Sequence, residues 1–194
     1  HFPDNKVEYL PSFHANNELN PLPGRGTYAL YNGNIEVPEN AHAVKFLIRE
    51  VFSKTDIPFK VAGMNPPDSV RELVSKTSRV SLVENPSDKE MFELIRQAHV
   101  NILVTFQATG LKLKLLNTLY KGRFCLVNDK MLNGTGLAEL CETGNSPPEL
   151  RAKLMELFSK EFKKEEIDKR QKILRERYAN DRNAEKLIEW VFTS

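Results

Sequence analysis

From Tyr28 onward, short apolar runs alternate with segments in which hydrophobic residues recur every three or four positions. Short apolar runs are typical of buried strands, and the longer period is that of an amphipathic helix. The runs predicted as strands are YALYNG, FKVAG, RVSLVE, HVNILVTF and RFCLVN. Helices are predicted between them, over PENAHAVKFLIREVFSK, PPDSVRELVSK, PSDKEMFELIRQA and GLKLKLLNTLYKG.

Strands that alternate with helices predict βαβ units, and therefore a parallel sheet with helices on both faces. Ser87 and Glu90 have the spacing of a capping box at the start of the third helix. The segments after the fifth strand, GTGLAELC, PPELRAKLMELFSKEF, KEEIDKRQKILRERY and AEKLIEWVF, are predicted to add a helical C-terminal region. The predicted fold class is α/β, Rossmann-like, with that helical segment appended.

Residues 1–26 have a different character, because turn-forming prolines and glycines interrupt them throughout. We predict a linker over 1–26 and one domain over 27–194. The sequence begins at His1 rather than methionine, so we expect a further domain to precede it.

Composition narrows the possible partners. The 194 residues include 28 basic and 26 acidic side chains, a balance that does not favour nucleic acid as a partner. Cys125 and Cys141 lie in apolar contexts, which favours buried free thiols in a reducing compartment and a cytoplasmic location. The four histidines are scattered without ligand spacing, so no metal site is predicted.

In parallel α/β sheets, ligands bind outside the carboxyl ends of the strands. Gly33 and Asn34 follow the first strand, in what the sequence suggests is an Asn-Gly turn, and Gly63 ends the second. Glu84 and Asn85 follow the third strand, where they would either contact a base or ribose or only cap the next helix. These residues are candidate substrate-binding residues.

The stretch QATGLKLKLLN after the fourth strand is the strongest candidate for an anion site. A helix starting near Gly110 would present free amides to a ligand, here those of residues 110–113, including Leu111. Lys112 has the wrong sign for a helix N-terminus, and a bound anion would remove that conflict. The alternative is that Lys112 and Lys114 form the solvated face of an amphipathic helix.

Asn117 is the second unusual residue of this helix, because asparagine is unfavourable in helix interiors. It lies about two turns after Gly110 and hence on nearly the same face. We expect either that it faces the ligand crevice or that it makes a structural hydrogen bond inside the protein.

The motifs from Tyr28 to Cys141 together resemble the C-terminal, donor-binding domain of a GT-B glycosyltransferase, closest to the family 4 type (glycosyl transferases group 1). In that family a stretch of the form E-G-x-G-x-x-x-x-E or G-x-K-x-K-x-x-E leads from the fourth strand into a helix, and TGLKLKLLN occupies that place. QAHVNILVTF and KGRFCLVND resemble the flanking strands, GTGLAELCE the stretch that follows, and YNGNIEVPEN the first phosphate loop.

Aligned with this motif, Thr109 takes the place of the family's first glutamate, which usually contacts the sugar. Asn117 takes the place of the second glutamate, which usually holds the ribose. The family's basic pair after the first strand is replaced by Asn34 and Glu39. We expect Lys112 and Lys114 to supply the missing positive charge.

The resemblance implies a retaining enzyme that transfers a hexose from a nucleotide-diphosphate sugar to a glycan or lipid-linked acceptor. Lys112 is the predicted catalytic group, neutralising charge on the leaving phosphate, with no metal or other cofactor. The acceptor site would lie on the preceding domain, which could also contact a membrane, so this domain alone should bind donor without turnover. The alternative is a non-catalytic nucleotide-binding or scaffolding module of the same fold.

Overall fold

A parallel sheet forms the centre of the computed structural model, which describes residues 7–107 and 112–192. Its strands are β1 (Ala29–Asn34), β2 (Phe59–Met64), β3 (Val80–Glu84), β4 (Val100–Leu103), β5 (Phe124–Val127) and β6 (Glu142–Thr143). The six strands lie in the order β3-β2-β1-β4-β5-β6. From β1, the strands β2 and β3 extend the sheet to one side, and β4, β5 and β6 extend it to the other. Doubly wound Rossmann-like folds have this arrangement, so the predicted fold class is confirmed.

Helices cover both faces of the sheet and continue beyond it. Within the described ranges the α-helices are α1 (Pro38–Phe46), α2 (Asp68–Ser75), α3 (Asp88–Gln97), α4 (Leu113–Lys121), α5 (Asp129–Leu132), α6 (Pro147–Ser159), α7 (Lys164–Arg177) and α8 (Asn180–Phe192). The predicted capping box is present, since Ser87 Oγ accepts from the Glu90 backbone N–H and the Glu90 carboxylate accepts from Ser87. Cys125 is buried, Cys141 is half-buried, and both are free thiols, as predicted.

Successive residues of β1 face opposite sides of the sheet, and a separate apolar cluster fills each side. Tyr31 packs in the cluster that includes Val44 of α1 and Leu154 of α6. Leu30 packs in the cluster that includes Ile95 of α3. A third cluster joins α4, β5 and α7. The first three residues of β1 are thereby packed on both sides of the sheet.

Two buried arginines donate hydrogen bonds to the backbone carbonyls at the C-terminal ends of helices. Arg123 Nη1 donates to the carbonyls of Gln97 (2.9 Å) and Ala98 (3.1 Å) at the end of α3. Arg170, 3% exposed, donates to the Gly122 carbonyl (2.5 Å) after α4 and to the Arg123 carbonyl. The last carbonyls of a helix have no intrahelical partner, and a cation at that end is favourable.

Several boundaries differ from those predicted. Gly33 and Asn34 are the last residues of β1, paired with Gly63 and Met64, rather than a turn after it. This extension has a physical cause: β2 offers a hydrogen-bonded partner along the whole of β1. The sixth strand, Glu142–Thr143, was not predicted, because two polar residues carry no strand pattern.

The segment 7–26 has one isolated bridge, Gly24 with Phe162, and otherwise lacks helix and strand. It lies against α4 and the junction of α7 and α8 through hydrogen bonds from Asn20 to Tyr120 and from His14 to Asn180. Its role as an interdomain linker stays a prediction. In the described ranges, no helix is both long enough and apolar enough to span a bilayer.

Gly63 is required by close packing of β2 against β1. A Cβ at this position would overlap the Gly33 carbonyl oxygen and lie 2.8 Å from the Ile35 side chain. We expect Gly63→Ala to lower the free energy of unfolding by about 2 kcal/mol, measured by urea denaturation. Gly33→Ala is the matched control, because its Cβ would meet no atom closer than 3.7 Å. Equal losses in the two variants would contradict this assignment.

Candidate functional site

The separation of β1 from β4 creates a crevice at the carboxyl edge of the sheet. β1 pairs with β2 along all six residues, but with β4 only at Ala29↔Val100 and Leu30↔Asn101. The remaining residues of β1 therefore have no β4 partner. The start of α1, the loop after β4 and the start of α4 converge there, at the topological switch point where ligands of such sheets bind.

Lys114, in the first turn of α4, reaches across this crevice. Its Nζ donates to Asn40 Oδ1 at 3.0 Å and to the Tyr31 hydroxyl at 3.5 Å. The Tyr31 hydroxyl also donates to Asn40 Oδ1 (3.0 Å), and Asn40 Nδ2 donates to the Asn34 carbonyl (2.8 Å). A lysine ammonium has three N–H donors. Two described groups, Asn40 Oδ1 and the Tyr31 hydroxyl, accept from this ammonium.

A carboxylate borders the same crevice. Glu39 Oε1 accepts hydrogen bonds from the Thr105 hydroxyl and from the Gln107 backbone N–H (3.1 Å). Phe106, between them, stacks on His42 with ring centroids 4.5 Å apart. Glu39 thus ties the loop after β4 to the first turn of α1, directly before residues 108–111, which lie outside the described ranges.

Burial controls the charges of this cluster. It lowers the pKa of Lys114 to about 8, with Glu39 opposing and Lys112 reinforcing the shift. Burial also raises the pKa of Tyr31, and Glu39 adds to that rise, so the hydroxyl stays protonated. Burial disfavours ionised Glu39, but hydrogen bonds from Thr105, Gln107 and Phe106 outweigh it and the pKa of Glu39 falls. The crevice therefore holds an ionised carboxylate near an ammonium that titrates near neutral pH.

The helix that carries Lys114 starts later than predicted. Its first accepting carbonyl is that of Lys112, bonded by the N–H groups of Leu115 (2.9 Å) and Leu116 (3.2 Å). α4 therefore begins at Leu113 with Lys112 as its N-cap, so the start near Gly110 was wrong. Lys112 is half-buried beside the crevice. The predicted contacts of Thr109, Gly110 and Leu111 lie outside the described residues.

Asn117 makes an internal hydrogen bond. Its Oδ1 accepts from Asn16 Nδ2 at 2.7 Å, and Asn16 is 3% exposed. The structural alternative considered for Asn117 therefore has a definite partner. Contact of Asn117 with a ribose stays a prediction.

The remaining predicted residues lie at neighbouring strand ends. Gly33, Asn34 and Gly63 lie side by side on β1 and β2, but Gly63 also has the packing role described above. Glu84 forms an ion pair with Arg71 (2.8 Å), and Asn85 Oδ1 accepts from the Asn65 N–H (2.8 Å). Glu84 and Asn85 line a cavity of about 410 Å³ beside α3. Whether any of these residues binds substrate stays a prediction.

The polar cluster around the crevice consists of Lys114 and four residues that were not identified from the sequence as its members. Tyr31 and Asn40 contact Lys114, and Glu39 and Thr105 hold the loop after β4. Each looks ordinary in its own element, since Tyr31 belongs to an apolar strand and Asn40 to the first turn of a helix. Asn32, a polar residue within the apolar run of β1, is a weak sequence signal for a polar site at this strand. Asn32 is 4% exposed and its Nδ2 has no partner among the described residues.

Comparison with solved structures identifies the fold. A TarM mutant from S. aureus, in complex with fondaparinux, alpha-GlcNAc-glycerol and UDP, matches 97% of this chain at a TM-score of 0.73 and 13% identity. AviGT4, a glycosyltransferase involved in avilamycin A biosynthesis, matches 97% at 0.59 and 17% identity. A glycosyltransferase from Rickettsia africae ESF-5 matches 87% at 0.66 and 14% identity.

The fold is that of a GT-B glycosyltransferase domain. Identities this low establish the fold alone. The chain spans 40% of the TarM chain, 58% of AviGT4 and 49% of the Rickettsia protein. No family model matches the sequence, and no curated protein does.

The titration of Lys114 predicts a pH-dependent stability. The unfolded chain holds the Lys114 proton up to about pH 10.5, whereas the folded chain releases it near pH 8. The unfolded state therefore binds more protons between these values, and this group makes stability rise with pH across that window. Urea unfolding at several pH values should reveal the rise, and Lys114→Met should reduce it. An unchanged pH profile in the variant would contradict the buried, titrating amine.

The bond between Asn16 and Asn117 predicts energetic coupling. Asn117→Leu should lower the free energy of unfolding by about 2 kcal/mol, because it leaves the buried Asn16 amide without an acceptor. In a double-mutant cycle with Asn16→Ala, the second substitution should cost less once the first is present. Strictly additive losses would mean that the two side chains do not interact in solution.

Proposed function

We propose that this chain is the donor-binding domain of a glycosyltransferase that moves a hexose from a nucleotide-diphosphate sugar to a glycan or lipid-linked acceptor. The observation that carries the proposal is Lys114, an ammonium held by Asn40 and Tyr31 at the switch point of the sheet. A partly buried cation at this edge of the sheet suits a diphosphate. The glycosyltransferase fold of the chain supports the same ligand class.

Within this proposal, the diphosphate lies against the start of α4. Lys114 binds a phosphate oxygen, and Lys112, at the N-cap, neutralises the charge that develops on the leaving phosphate. The first turn of α4, from Leu113, contributes further donors, and we place the sugar toward Thr109 and the ribose toward Asn117. Retention at the anomeric carbon is part of the proposal through the family resemblance.

The base is proposed to lie toward β3. Neighbouring strands are about 5 Å apart, so the end of β3 lies about 10 Å from that of β1, a span suited to a nucleoside. Glu84 and Asn85 line the cavity at that end. The acceptor would be held by a second domain, so donor binding without turnover is expected for this chain alone.

The second candidate is a non-catalytic nucleotide-binding or scaffolding module. One observation favours it: the position of the family's ribose-binding glutamate is an uncharged amide, Asn117, whose oxygen is taken by Asn16. A scaffold would keep the fold and its buried contacts without needing a free donor site.

Calorimetric titration with UDP, GDP and ADP tests the proposal. We expect at least one nucleotide to bind, and Lys114→Met to weaken it about tenfold, the value of one charge-assisted hydrogen bond. Lys76→Met is the control, since Lys76 pairs with Glu72 on the exposed face of α2. Neither heat nor thermal shift with any nucleotide at millimolar concentration would overturn donor binding and favour the scaffold.

A further inference from the structure

Cys125, on β5, and Cys141, directly before β6, lie opposite each other in the sheet. β5 and β6 run parallel with Leu126 opposite Glu142, and the same register one residue earlier places Cys125 opposite Cys141. The backbone of Cys141 is extended (φ −129°, ψ 151°), so it continues the line of β6. Neighbouring strands are about 5 Å apart, which is within the range of roughly 4.4–6.8 Å between the Cα atoms of disulfide-bonded cysteines.

The two thiols also interact with each other. Both side chains pack in the apolar cluster that joins α4, β5 and α7. The side-chain hydrogen bond to Cys141 raises the pKa of the Cys125 thiol, and burial raises it further. Both thiols are free. The sulfur atoms are therefore close enough to bond to each other once one of them is oxidised.

A small cavity gives access to this pair. Its volume is about 120 Å³, and both cysteines line it together with Phe162 and Arg170. A water molecule occupies about 30 Å³ in the liquid, so the cavity admits a solute of a few heavy atoms, such as hydrogen peroxide. Cys125 is 2% exposed, whereas Cys141 is half-buried. A small oxidant therefore meets Cys141 first.

Arg170 brings a positive charge to the same cavity. Its charge opposes the rise of the Cys125 pKa. Burial lowers the pKa of Arg170, and both cysteines oppose that shift, so the guanidinium lies within electrostatic range of both sulfurs. A neighbouring cation favours the thiolate, which is the form of cysteine that reacts with oxidants.

We propose that Cys125 and Cys141 are a site of reversible oxidation, at which hydrogen peroxide converts the two thiols into a disulfide that joins β5 to β6. Cys141 is the thiol that is oxidised first, and Cys125 is the thiol that resolves it. The site lies away from the Lys114 crevice and does not rest on the proposed donor function.

The reaction has two steps. The Cys141 thiolate attacks one oxygen of hydrogen peroxide, the O–O bond breaks, and the departing hydroxide takes up the thiol proton as water, which leaves a sulfenic acid on Cys141. The Cys125 sulfur then attacks the Cys141 sulfur and the S–O bond breaks. The hydroxide leaves with the Cys125 proton as a second water. One peroxide is thus reduced, and two thiols are oxidised to one disulfide.

Peptide mapping by mass spectrometry tests this site on the whole chain. The protein is reduced with dithiothreitol, desalted, treated with hydrogen peroxide, alkylated with iodoacetamide and digested with trypsin. We expect the tryptic peptides 124–130 and 131–151, which carry the two cysteines, to be recovered as one disulfide-linked species within a single chain. Dithiothreitol should restore alkylation of both cysteines. Full alkylation after peroxide treatment, or disulfides only between chains, would overturn the proposal.

Two single-cysteine variants test the order of the steps. In Cys125→Ala, we expect Cys141 to stop at the sulfenic acid, which dimedone traps. In Cys141→Ala, the buried Cys125 should form the dimedone adduct about tenfold more slowly. Equal rates would contradict the assignment of Cys141 as the first thiol. The linked peptide from the unsubstituted chain is measured without any nucleotide, so a failure of donor binding leaves this result unaffected.

Discussion

The crevice depends on how briefly β1 and β4 pair. Two residue pairs join these strands, whereas six join β1 to β2. Beyond Leu30, backbone pairing with β4 ends, and side chains must bridge the gap. Lys114, Asn40 and Tyr31 bridge it on one side, and Glu39 with Thr105 on the other. The fold therefore places polar side chains at the opening between β1 and β4, where Rossmann-like sheets bind ligands.

This bridging has an electrostatic consequence. An ammonium withdrawn from water binds a phosphate more strongly than an exposed one, because the interaction is less screened. The same withdrawal brings the pKa of Lys114 to about 8, so the binding-competent charge is retained only below that pH. Glu39 limits the lowering of the Lys114 pKa. It also holds the loop after β4 by accepting a hydrogen bond from the Gln107 N–H.

The sheet could be predicted from the sequence, whereas the polar cluster could not. Each long strand contains an apolar run, and the burial of β1, β4 and β5 on both faces makes that pattern readable. Lys114 lies 74 positions from Asn40 and 83 positions from Tyr31 in the sequence, and no local period connects it to them. The start of α4 was misplaced because its N-cap, Lys112, is not one of the residue types that mark a helix start in a sequence. Residues 109–111 remain sequence-based expectations.

The anchoring of His14 on Asn180 also bears on how the chain folds. The two residues are 166 positions apart, whereas the contacts of the sheet close much shorter loops. Pairings between distant segments pay a larger loop-closure entropy and form late. During synthesis, the strands β1 to β5 are complete before Asn180 leaves the ribosome. The segment 14–20 is therefore expected to dock last, and to be the first part of the described structure to detach under mild denaturation.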